Sequence, residues 1–239
     1  MTFWLILEEK HMLISPRYKP IVFGGPSLEL AMEKYGKYFD FRPPIQRGDL
    51  EALAGDKRRS GCVLITDGVF GSTLSVSPVE CLRVLQKGWL LLGSSSMGAL
   101  RAADCNSAGM VGIGHVYMGY QLGYYKSDAD VSVVYAGVPS KEITISYVHA
   151  DYIGRILQRS QSLSSVNHRK FLSFLRRTPW YDRNRKSVAS EFSIAHGKGE
   201  LAEVFLDMSH DASCHPKKLD ALLACDYMWG LYKKRGLHE

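Results

Sequence analysis

The chain has 239 residues, 46% of them apolar and 23% charged, with a formal net charge of +6. These proportions are ordinary for globular proteins and exclude general disorder, a collagen-like repeat and a disulfide scaffold. No apolar run approaches the roughly 20 residues of a membrane-spanning helix. The nearest run, Phe3 to Leu7, has no basic segment before it and no small-residue cleavage pattern after it, so no secretory signal is read.

Residues 1–19 precede the first strand and read as an N-terminal extension. Ile21-Val22-Phe23 is a short apolar strand, followed by Gly24-Gly25-Pro26-Ser27 and a helix over residues 28–34 that Gly36 stops. After the Pro43-Pro44 break, Gly48-Asp49 opens a short helix through Leu50 and Leu53. Cys62 to Thr66 reads as a buried strand ending at Asp67-Gly68. Ser77-Pro78-Val79-Glu80 is a capping box with Pro at the first helical position. The helix it starts runs to Gly88. Trp89 to Leu92 is the next buried strand. It ends at Gly93-Ser94-Ser95-Ser96-Met97-Gly98, and a helix rich in Ala and Leu follows.

Short apolar strands alternating with helices predict a mostly parallel sheet covered on both faces. The fold class is therefore α/β, a short sheet flanked by helices with a helical C-terminal region. Residues 20–139 are expected to form the core, and residues 140–239 a helical region packed on it. Val131 to Tyr135 is a further strand candidate. The helices beyond are expected at 143–157, 169–177, 201–208 and from Pro216 to a stop at Gly236. The last carries apolar positions at Leu219, Leu222, Leu223, Tyr227, Met228 and Leu231.

The five cysteines are odd in number and irregularly spaced, with no C-x-x-C pair. Neither a disulfide framework nor a four-cysteine zinc site fits, and a reducing cytoplasm is the expected compartment. The charge is concentrated. Arg169, Lys170, Arg176, Arg177, Arg183, Arg185 and Lys186 stand against one acid, Asp182. Such a stretch is either a solvated basic face or a dock for an acidic partner. No nucleic-acid-binding motif accompanies it, and neither nucleic acid nor membrane is expected as a partner.

In an open α/β sheet ligands bind at the carboxyl ends of the strands. Gly24–Ser27, Asp67–Gly68 and Gly93–Gly98 all fall there. A serine in the last segment can be a helix N-cap, an anion ligand or a nucleophile. The G-x-S-x-G elbow is missed because Met97 stands at the second glycine position. Gly24-Gly25-Pro26-Ser27 is either an anion-holding loop or a tight turn, and it matches no Walker or dinucleotide fingerprint. Asp67 can be an acid, a metal ligand or a turn residue. His210, Cys214 and His215 fit no standard zinc spacing, so no metal and no cofactor are expected. A serine nucleophile needs a base, and a lysine can serve when its amine is neutral. Lys217 and Lys218, in the first turn of the last helix, are candidates.

Six blocks occur in a fixed order. They are residues 22–28, Pro43-Pro44 with Gly48-Asp49, Asp67–Phe70, Ser75–Pro78 with Glu80, Ser95–Ala103, and Gly109–Gly114. Together they resemble the core of TfuA-like proteins over about residues 21–135. Lys217-Lys218-Leu219-Asp220-Ala221 resembles a Lys-x-x-Asp-Ala helix of the same family. The resemblance implies a partner of YcaO enzymes in peptide backbone thioamidation. It implies hydrolysis of a thiocarboxylated ThiS-type sulfur carrier, and help for YcaO in engaging its precursor peptide. It further implies a Ser–Lys pair, carried here onto Ser96 and Lys217 with Ser95 in reserve. Gly24, Gly25, Ser27, Asp67, Gly93, Gly98 and Arg101 become anion-holding or supporting residues. The basic residues Arg169, Lys170, Arg176, Arg177, Arg183 and Arg185 become the docking face. Where family members often carry a lysine just before the Glu80 position, this chain has Val79.

Overall fold

The computed structural model describes residues 18–55, 61–71, 74–136 and 141–233. Most of the 1–19 extension, the Phe3 to Leu7 run and the expected stop at Gly236 lie outside the described residues. Packing divides the chain into two compact units, Met1–Tyr124 with Asp220–Glu239, and Tyr125–Leu219. The sequence reading draws its boundary at 139/140. No helix among the described residues is long and apolar enough to cross a membrane.

The first unit holds a five-stranded sheet. Its strands are β1 (Ile21–Phe23), β2 (Asp40–Arg42), β3 (Cys62–Ile65), β4 (Leu90–Ser94) and β5 (Val111–Ile113). The order is β2-β1-β3-β4-β5 and every pairing is parallel. The chain runs outward from β1 to β2, then crosses back to β3 and continues to β4 and β5. The topological switch point therefore lies between β1 and β3, where doubly wound sheets open a crevice at their carboxyl ends.

The helices of this unit are α1 (Glu29–Tyr35), α2 (Asp49–Ala54), α3 (Pro78–Gln86), α4 (Met97–Cys105) and α5 (His115–Gln121). Helix α3 starts on the expected capping box. Ser77 accepts the Glu80 N–H, and the Glu80 carboxylate accepts the Ser77 N–H. One sheet face presents Val22, Cys62, Leu64, Leu90 and Leu92, in the alternation that a strand imposes. Against it pack Ala221, Ala224, Cys225, Met228, Leu231 and Tyr232 of the terminal helix α10 (Pro216–Lys233). Of the expected apolar positions, Met228 and Leu231 lie on this face, and Leu222 and Tyr227 pack against it partly buried. Leu223 is exposed, and the small residues Ala221 and Ala224 are fully buried. Small side chains let the helix backbone approach the sheet, so size alone does not mark every position of its core face.

The second unit carries two short strands of two residues each, β6 (Tyr135–Ala136) and β7 (Lys141–Glu142), paired antiparallel. Four helices follow before α10. They are α6 (Tyr147–Ser160), α7 (Ser165–Arg177), α8 (Arg185–His196) and α9 (Leu201–Met208). Side chains of Ser146, Ser164 and Asn184 cap the first three. The cap at Ser146 explains why α6 begins there and not at Ile143. Phe171, Phe192 and Phe205 are buried and pack ring on ring between α7, α8 and α9.

Candidate functional site

The switch point is occupied by a carboxylate. Asp67, just past the end of β3, accepts the Gly25 N–H at 2.8 Å and the Ser27 N–H at 3.0 Å, both on Oδ2. Its Oδ1 accepts the Ser27 hydroxyl at 2.6 Å. The loop read as an anion cradle thus holds an anion of its own chain. Glycine at position 24 is required by space, because a Cβ there would lie 2.1 Å from Thr66 Oγ1. Gly24, Gly25, Ser27 and Asp67 are therefore brought together, with Asp67 tying the β1 loop to β3.

One strand further on, β4 runs into the serine turn. The Ser96 N–H donates to Ser94 O at 2.9 Å across Ser95, whose φ is +67°. This is a three-residue turn of the rare, strained class. The Ser96 and Gly98 N–H groups also both donate to Thr66 O at 3.1 Å. Glycine is needed at 98, since a Cβ there would sit 1.8 Å from Ile65 O, and Gly93 is pressed against Gly98 O in the same way. The turn is thus clamped onto the end of β3. The backbone donors of Ser96 and Gly98 are spent on that clamp and are not aimed at a ligand.

Ser96 occupies the N-cap position of α4, yet its side chain makes no capping hydrogen bond. It is 3% exposed. An N-cap serine earns its preference by accepting a helix N–H. Here the hydroxyl does not do so, which separates Ser96 from the plain capping role left open by its sequence. Ser94, in contrast, is structural. Its hydroxyl bridges Ile113 O and Asp220 O.

Arg101 is bonded to groups outside the serine turn. Its Nε donates to Val76 O and its Nη1 to Asp104, both at 2.7 Å. Asp220, the aspartate of the Lys-x-x-Asp-Ala segment, closes on Gly109–Gly114. Its two oxygens accept the His115 and Val116 N–H groups at 2.8 Å each, capping α5. Gly114 has φ +103° and leaves no room for a Cβ beside that carboxyl. Burial pushes Asp220 up to about 7, against its two backbone hydrogen bonds.

Lys217 lies in the second unit and is 1% exposed. Its Nζ is 2.5 Å from Glu142 Oε1 and 3.4 Å from Val131 O. Glu142 Oε2 is in turn 3.1 Å from His215 Nε2. The His149 ring lies tilted against His215, with centroids 4.0 Å apart and the planes at 40°. Burial alone would raise the Glu142 carboxyl. The Lys217 ammonium and His215 outweigh it and hold the group well below the usual range. Burial keeps both His149 and His215 below their ordinary values, and therefore neutral. The sequence grouped His215 with His210 and Cys214. The structure separates them. His210 bonds Leu206 O on the surface, and Cys214 turns toward Asp211.

Half of the expected docking face is committed within the second unit. Arg183 is buried and donates to Thr178 O, Ala129 O and Leu175 O. Arg185 donates to Glu142 O and Ile143 O. Arg176 pairs with Asp130 and lies over the Tyr147 ring. Arg169, Lys170 and Arg177 are exposed on α7.

Residues 67–184, about half of the chain, match the family model described as TfuA-like protein, and the chain belongs to that family. The match takes in Asp67, Ser96, Glu142 and His149. Gly24–Ser27 and Lys217 lie outside it. No curated protein matches the chain.

Proposed function

We propose that this TfuA-like protein hydrolyses a thiocarboxylated ThiS-type sulfur carrier and so supplies sulfide to a YcaO enzyme that thioamidates a ribosomally made peptide. Family membership supports the accessory role in thioamidation. The observation that carries the hydrolytic reading is the buried Ser96 hydroxyl, left out of capping at a strained strand-to-helix turn at the carboxyl edge of the sheet. A strained strand-to-helix turn is shared with the nucleophile turns of hydrolases; here the left-handed residue is Ser95, and Ser96 follows it.

In the proposed reaction Ser96 Oγ bonds to the thiocarboxylate carbon as the carbon–sulfur bond breaks. Sulfur leaves as hydrosulfide, its proton coming from the serine hydroxyl by way of a base. Water then adds to the acyl-serine, the serine oxygen regains a proton, and the carrier departs as its carboxylate. The N–H of Met97, the residue after the nucleophile, is the natural oxyanion donor. Lys217 enters as the family's lysine, on the resemblance alone.

The test is sulfide release from a thiocarboxylated ThiS-type protein by wild type, Ser96→Ala, Ser95→Ala and Lys217→Ala. Loss in Ser96→Ala with retained folding supports the assignment, and unchanged release there ends it. A second reading is a YcaO-binding module without hydrolysis. It is favoured by Val79, exposed where family members often carry a lysine, and by the exposed Arg169, Lys170 and Arg177. Under it, wild type binds YcaO and releases no sulfide.

A further inference from the structure

His149 is the least explained side chain in the second unit. It is fully buried, and neither of its ring nitrogens has a hydrogen-bond partner. Leaving such groups unpaired costs about 1–3 kcal/mol each, so a buried orphan asks for a missing partner. The side chains around it are metal ligands by type. One donor atom each from Glu142, His149 and His215 lies within 4.8 Å of the other two. They come from three separate elements: the end of β7, the first turn of α6, and the residue before α10. Two imidazoles and one carboxylate are the donor set of many three-ligand zinc sites.

We propose that Glu142, His149 and His215 form a binding site for one divalent transition-metal ion of the zinc class. The His215 Nε2 to Glu142 Oε2 separation of 3.1 Å is close to that of two ligands sharing one tetrahedral ion. Arg185, whose Nη2 lies 3.6 Å from Glu142 Oε2, then acts as an outer partner that orients the carboxylate. His149 gains the partner it lacks.

Lys217 sets the terms of entry. Its ammonium already neutralises Glu142 at 2.5 Å. A buried shell with Arg185 beside it does not hold an ammonium and a divalent ion around one carboxylate. The ion and the ammonium therefore exclude each other, and uptake displaces Lys217 from Glu142. The site shares Lys217 with the hydrolytic reading, but it is tested by binding and not by turnover.

The experiment is a cobalt(II) titration of the full chain after treatment with a chelator, followed by the visible absorption of four-coordinate cobalt and by displacement with zinc. Wild type is expected to bind one ion per chain. His149→Phe and Glu142→Gln are each expected to weaken binding by about a hundredfold or more. The exposed His210→Ala is expected to leave it unchanged. Lys217→Met is expected to tighten it by about tenfold or more, since the competing charge is gone. His149→Phe keeps a ring of similar size and removes two orphaned nitrogens, so it is expected to fold at least as well as the metal-free wild type. Circular dichroism and thermal melting check this. The proposal is overturned if wild type takes up no cobalt or zinc at millimolar concentration, or if a folded His149→Phe binds as tightly as wild type. Weaker binding in Lys217→Met overturns the exclusion.

Discussion

Asp67 offers the sharpest test of how the first unit is held together, because two different substitutions should behave oppositely. Asp67→Ala removes the acceptor of three hydrogen bonds, from Gly25 N–H, Ser27 N–H and Ser27 Oγ–H. Ser27 is fully buried, so its amide is stranded at about 1–3 kcal/mol. Gly25 is partly exposed and regains water, and the Ser27 hydroxyl can rotate. The sum is about 2–4 kcal/mol, which for a chain of this length is a fall in Tm of roughly 4–16 °C. Asp67→Asn should cost under about 1 kcal/mol. Both N–H groups point at the same oxygen, which the amide keeps, and the hydroxyl can turn to accept from its NH₂. Urea denaturation of the three proteins, followed by circular dichroism, measures the difference. If Ala and Asn are equally destabilising, the charge and not the hydrogen-bond count holds the loop. If both are neutral, the loop is not anchored by Asp67 at all.

Gly98→Ala should cost at least about 2 kcal/mol by the same measurement, because its Cβ meets Ile65 O at 1.8 Å with backbone on both sides. Arg183→Ala should lower the stability of the second unit by about 1–3 kcal/mol, since it strands the buried Leu175 carbonyl and frees the half-buried Thr178 and Ala129 carbonyls to water. The double change Arg169→Glu with Lys170→Glu should stay within about 0.5 kcal/mol, both residues being exposed. If that double change weakens a pull-down with YcaO, the docking face is α7. If binding is unchanged, α7 is not the face. For pH, the relevant window is between 3.8, the ordinary Asp value, and about 7, where burial places Asp220. Across it the folded chain holds a proton that the unfolded chain has released. This contribution to stability is complete below the window and lost as pH rises through about 7. Asp220→Asn should flatten that slope, and urea midpoints at several pH values will show whether it does.

The sequence announced the middle of the sheet and hid its edges, for a physical reason. Strands β1, β3 and β4 are buried on both faces and so read as unbroken apolar runs. The edge strands are half-buried. One of them, Asp40-Phe41-Arg42, carries two charges, and the other, Val111-Gly112-Ile113, has a glycine at its centre. Neither composition looks like a strand in isolation. Both end their side of a sheet whose register the inner strands already set. Helix α8 was hidden for a similar reason. Arg185–His196 is mostly polar, and its cap at Asn184 is a stronger signal than its apolar pattern.

The candidate sites divide along the same line between local and distant chemistry. The serine turn was legible because Gly93 and Gly98 bracket it, and a strand that must turn sharply into a packed helix needs glycine there. What the serines do with their hydroxyls was not legible, since capping, clamping and nucleophilic roles share the same spacing. The partners of Asp67 lie some 40 residues away and become visible only when β1 and β3 pair. Glu142 and His215 are 73 residues apart, and the nearby His210 and Cys214 drew attention to the wrong neighbours. His149 gave one local signal. It interrupts the short apolar stretch from Tyr147 to Ala150, where a polar ring has to be buried and must find a partner. That demand is visible in the sequence, and the identity of the partner depends on which distant loops the fold brings to it.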